Sequence, residues 1–60
     1  MNLGQVVREL ETIRKTTEEL YLYVCASGVP ARRIRASLER RIAALDKAID
    51  LAVKAAPNYP

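Results

Sequence analysis

Leu20-Tyr-Leu-Tyr-Val-Cys-Ala-Ser-Gly-Val-Pro-Ala-Arg-Arg-Ile34 is the stretch whose reading decides the fold. It opens as an apolar helix end and then turns at Ser27-Gly28-Val29-Pro30. Gly28 suits the left-handed residue that closes a helix, and Pro30 suits the first position of the next. Val29 has no side-chain acceptor and makes a poor helix cap, so it is expected to anchor the turn against the hydrophobic ends of both helices. A connection this short makes the flanking helices antiparallel neighbours.

Upstream, the segment from about Leu3 to Ala26 has no proline and no glycine after Gly4. Its apolar positions, Leu3, Val6, Leu10, Ile13, Leu20 and Val24 with Thr17 between, alternate by three and four residues. That spacing is the seam of a coiled-coil-like helix, and Val7, Tyr21 and Cys25 widen it on one side. Thr16 followed by Glu19 also fits a capping box, which would break this helix in two. The heptad phase passes through Thr17 without slipping and favours a continuous helix.

Downstream, the second helix is expected from about Pro30 to Ala56, where Pro57 stops it. Its seam is Leu38, Ile42, Leu45, Ile49, Ala52 and Ala56, flanked by Ile34, Ala48 and Ala55 on one side and Val53 on the other. The apolar arc covers nearly half the circumference, too much for a single neighbouring helix. The sequence therefore predicts an all-α chain: helix about 3–26, turn 27–30, helix about 30–56 and tail 57–60. Tyr59 between the prolines of that tail is expected to fray rather than dock.

Sixty residues arranged as two helices bury little surface, so a staple or a partner is needed. One cysteine excludes an intrachain disulfide, and the lack of histidine removes the usual zinc ligand sets. The simplest remaining solution is self-association into an antiparallel four-helix bundle. Leu10, Ile13, Leu20, Leu38, Ile42, Leu45, Ile49 and Ala52 are its expected core and dimer interface. Leu22 and Leu51 face away from that core and mark a surface for another protein. The longest apolar run, Leu20 to Ala26, is far too short to span a bilayer, and no leader pattern opens the sequence. A cytoplasmic protein without a membrane partner is the expectation.

Chemistry finds little purchase. With no histidine, one cysteine on the edge of an apolar stripe and no glycine-rich phosphate loop, no catalytic residue, cofactor or metal site is assigned and no enzyme is expected. Charge distribution is more informative. Helix one carries Arg8, Arg14 and Lys15 against four glutamates, a net of minus one. Helix two carries seven cations against Glu39, Asp46 and Asp50, a net of plus four, so the two helices account for the chain's +3. Arg33, Arg40, Lys47 and Lys54 recur every seven residues and form one basic line. Arg32, Arg33 and Arg35 crowd the helix start, where the macrodipole disfavours cations. Arg32, Arg33, Arg35, Arg40, Lys47 and Lys54 are thus candidate anion contacts, nucleic acid being the leading ligand class. Arg41 falls inside the apolar arc and Arg35 at its edge; each either snorkels to water or to an acidic residue such as Glu9 or Glu19, or forms an interface ion pair that fixes register or partner.

Around the turn, Gly28, Val29 and Ile34 resemble the turn and recognition-helix start of bacterial-type helix-turn-helix regulators. The resemblance implies that Pro30, Ala31, Arg32, Arg33 and Arg35 face the DNA major groove, and it requires a third helix. Val24 and Ser37 depart from the pattern, in which those positions hold a small and an aliphatic residue.

Overall fold

The computed structural model describes residues 2–55 as two α-helices, α1 (Leu3–Ala26) and α2 (Arg32–Ala55), lying side by side as a hairpin with principal extents of 43 × 17 × 14 Å. Ala56 and the tail expected at 57–60 lie outside the described residues. No strand is present among the described residues.

The start of α1 is locked by its own sequence. The Asn2 side chain accepts from the Gln5 amide at 2.8 Å, and the Gln5 side chain accepts from the Asn2 amide at 2.9 Å. This reciprocal capping box satisfies two amide donors that the helix leaves without an internal partner. The helix then runs unbroken through Thr16 and Thr17, so the second capping box is not used. Thr12, Thr16 and Thr17 each donate a hydroxyl hydrogen bond to the carbonyl four residues back. That back-bonding keeps their polar groups satisfied inside the helix instead of at a new cap.

At the other end of α1 the Ser27 amide donates to the Tyr23 carbonyl at 3.0 Å, and its hydroxyl donates to the Val24 carbonyl at 2.7 Å. Gly28 follows at φ 73°, the left-handed geometry anticipated for it. The connection is longer than the sequence suggested, because α2 begins at Arg32 and not at Pro30. The first rung of α2 is the Arg35 amide to the Ala31 carbonyl at 2.9 Å, which makes Ala31 the cap and leaves Pro30 in the connection. Val29 is swung outward and exposed, so it does not anchor the turn. In a five-residue connection its side chain has no helix end within reach.

Among the described residues, only Val7 (0% exposed) and Leu38 (4% exposed) are fully buried. On α2 the facing stripe is the one the periodicity gave, with Leu38 buried and Ile42, Leu45, Ile49 and Ala52 half-buried. On α1 the helix is turned about its axis relative to the expected seam. Val7, Leu10, Arg14, Thr17, Tyr21 and Val24 face α2, while Ile13 and Leu20 are each 50% exposed. The cause is a polar clamp. The Arg14 guanidinium donates from Nε to Asp46 and, at 2.7 Å, from its terminal nitrogen to Glu18. Turning Arg14 toward α2 closes these bonds and turns Ile13 and Leu20 out of the contact.

Candidate interaction face

The hairpin has two flanks, and they are built differently. One flank carries Arg14, Glu18 and Asp46, joined by ion pairs across and along the helices. Hydrogen bonds to Asp46 first, then to Glu18, hold the Arg14 guanidinium above its ordinary pKa. Tyr21 lies on the same side. Its phenol is held above its ordinary value chiefly by the neighbouring Cys25 thiol and then by the charge of Glu39.

The opposite flank is apolar and open. Leu20 of α1 and Ile34, Leu38 and Arg41 of α2 line a shallow groove together with Arg33 and Ser37. Leu20 stands in a row of seven-residue spacing with Ile13 and Val6, so all three project to this side of α1. From Ile34 the same spacing reaches Arg41, Ala48 and Ala55 on α2. Ile34 is 56% exposed beside Leu20, which is 50% exposed, so the described residues cover only about half of each. Two helices give a layer only one helix thick, so a stripe wider than one neighbour leaves an apolar flank bare.

Two further expectations can be placed. Leu22 (57% exposed) and Leu51 are out of the helix–helix contact, as the sequence suggested. They do not meet one another, because each points outward from its own helix. The basic line divides. Lys54 pairs with Asp50 at 3.0 Å, whereas Arg33, Arg40 and Lys47 have no ion pair among the described residues. Arg32, Arg33 and Arg35 occupy the first turn of α2 with no acidic residue there to offset them.

Arg41 was read as snorkelling or reaching Glu9 or Glu19. It is exposed, and no carboxylate pairs with it or lines the groove beside it. The third helix that a helix-turn-helix needs is not formed, because α1 does not break at Thr16–Thr17. No cluster of metal-ligating side chains and no helix long and apolar enough to cross a membrane occurs among the described residues.

No known protein-family model, curated protein or solved structure matches the chain.

Proposed function

We propose that this protein is a self-associating interaction module. Two hairpins cover each other's apolar flanks to form a four-helix bundle, and the module acts through assembly instead of catalysis. The observation that carries this reading is the open flank of Val6, Ile13, Leu20 and Ile34. Its size supports a second copy as the cover. The chain exposes 4790 Å², against the ~3,900 Å² typical of a compact monomer of this mass. The excess, on the order of 900 Å², is close to the ~800 Å² that each partner contributes to a standard stable interface. Shape tells the same story. The radius of gyration is 13.7 Å, against about 10.4 Å for a compact 60-residue domain. Solution mass by light scattering tests the reading, with two chains expected per particle. A folded particle of one chain overturns it.

A second reading is supported by the unpaired outward cations Arg40 and Lys47, which the apolar flank does not use. On this reading the assembled bundle binds nucleic acid along α2. Binding to a short duplex would fall steeply with added salt as phosphate counterions are released. Arg33→Glu combined with Arg40→Glu would abolish it. Absence of binding at low salt removes this second reading and leaves the first in place.

A further inference from the structure

We propose that the two hairpins pack tip to tail, with the two-fold axis perpendicular to the helices, so that Arg41 of each copy lies level with Glu9 of the other. This rests on the self-association proposed above and chooses between the two closed arrangements that it leaves open. Face-to-face hairpins related by a two-fold axis either share an end for their turns or place the turns at opposite ends.

The apolar flank has a polarity along its length, and charge decides between these arrangements. At the turn end, the groove is lined by two arginines, Arg33 and Arg41, and by no carboxylate. At the open end of α1, Glu9 falls in the same surface row as Val6, Ile13, Thr16 and Leu20 and has no ion pair among the described residues. Levels along the hairpin follow from contacts between the helices. Arg14 bonds Asp46, and Tyr21 feels the charge of Glu39. Residues whose numbers add to about 60 are therefore level, which places Arg41 beside position 19 of α1. Taking position 14 as the middle of α1, Arg41 lies ~7.5 Å toward the turn and Glu9 ~7.5 Å toward the open end, at ~1.5 Å per residue.

A perpendicular two-fold axis through that middle brings Arg41 of one copy to the level of Glu9 of the other, twice over. An axis along the hairpins does the reverse. It holds both Arg41 guanidinium groups at one level as water is expelled, with both Arg33 groups at the same end and each Glu9 more than two helical turns away. Like charges held together in a drying interface are costly, and opposite charges brought within reach favour the tip-to-tail arrangement.

Cys25 supplies the test. It is the chain's single cysteine, it is exposed, and it lies near the turn end on the polar flank. A nitroxide attached there reports one distance per dimer by electron dipolar spectroscopy. Tip to tail, the two attachment points are ~33 Å apart along the bundle. With the turns together they are on the order of 10–20 Å apart, across one or two helix spacings. A mass of two chains with the long distance is the expected result. Two chains with the short distance overturn the orientation and leave the dimer standing, whereas a single-chain mass overturns both. Reversal of the charges checks the pairing itself. Arg41→Glu is expected to weaken the dimer at least tenfold, and adding Glu9→Arg is expected to restore most of it. A double variant no tighter than the single one overturns the pairing.

Discussion

The two flanks of this hairpin start from the same helices and end in opposite conditions. On one, Arg14 reaches across to Asp46 and along to Glu18, and polar groups find partners within the chain. On the other, Ile13, Leu20 and Ile34 are each half or more exposed, with half-buried Val6 in the same row. The difference separates two tasks that a larger domain performs with one core. The polar flank sets how α1 and α2 sit against each other, because ion pairs are directional. The apolar flank provides the driving force for folding, because burial is not directional and grows with area. Among the described residues only Val7 and Leu38 are buried inside the hairpin, and on the proposed reading the rest of that force comes from a second copy.

The sharpest way to break the comparison is to put one charge on each kind of surface. Leu20→Asp places a carboxylate where the second copy is proposed to sit, and an unpaired charge there costs several kcal/mol. The dimer should dissociate and the cooperative thermal transition should drop by more than ~10 °C or disappear. Leu22→Asp, at a position equally exposed in the single chain, should change stability by within about 0.5 kcal/mol. Thermal denaturation with light scattering compares the pair. Equal effects would mean that the apolar flank is ordinary surface.

A smaller effect is expected on the polar flank. Arg14→Ala removes both ion pairs at once. Those pairs are partly open to water, which limits their worth. The melting temperature should fall by only a few degrees and the mass should stay at two chains. More informative is the seating of α1. With the clamp gone, Ile13 and Leu20 can turn toward α2, and amide exchange on that face of α1 should change. A loss of dimer in Arg14→Ala as complete as that in Leu20→Asp would show that the flanks do not divide their tasks.

How much of this was legible in the sequence follows the same division. The turn, the antiparallel pairing and the whole facing stripe of α2 came from glycine, proline and apolar spacing, which are local signals. The seating of α1 did not. Its apolar arc admits two neighbouring settings, one facing Ile13 and Leu20 and the other facing Arg14 and Tyr21. The choice rests on Arg14 meeting Asp46, thirty-two residues away in the chain. No periodicity within α1 carries that information. The start of α2 was misplaced for a related reason. Pro30 suits a first helical turn, but so does the position just before a cap, and only the Arg35–Ala31 rung distinguishes them. The Asn2–Gln5 capping box is a different case. Asn followed three residues later by Gln is a readable start signal, and the expected boundary at about Leu3 was set without it. The open flank itself was announced by the excess width of the α2 arc, although for Ile13 and Leu20 on α1 the periodicity did not separate the hairpin core from an interface with another chain.

Arg41→Leu sharpens the comparison from the apolar side. It removes one of the two arginines that line the groove on that flank and adds apolar area at a position adjoining Leu20. Because Glu9 of the other copy then loses its partner in the interface, the dimer should weaken by about tenfold, the equivalent of ~1.4 kcal/mol. The nitroxide distances on Cys25 should gain a short component, since the like-charge penalty on the turns-together arrangement has gone. Analytical ultracentrifugation over a dilution series reads the first effect. A tighter dimer would mean that the added apolar area outweighs the Arg41–Glu9 pair and that the pair supplies no net attraction.

The smallest effect belongs to Tyr21, on the polar side. Its phenol is held above its ordinary value chiefly by the neighbouring Cys25 thiol and then by the charge of Glu39. The sign of the linkage follows from the raised value. An unfolded chain ionises this tyrosine near pH 10, while the folded chain keeps the proton to higher pH. The contribution to folding is therefore complete below about pH 10 and is lost as pH rises through the folded value. Tyr21→Phe should remove this small contribution at neutral pH and flatten part of the alkaline decline. The order of causes gives a finer check by phenolate absorbance. Cys25→Ala should lower the apparent pKa of Tyr21 more than Glu39→Gln does, because it removes the larger cause. The reverse order would place Tyr21 closer to α2 than to its own helix, and would move the contact between the two helices with it.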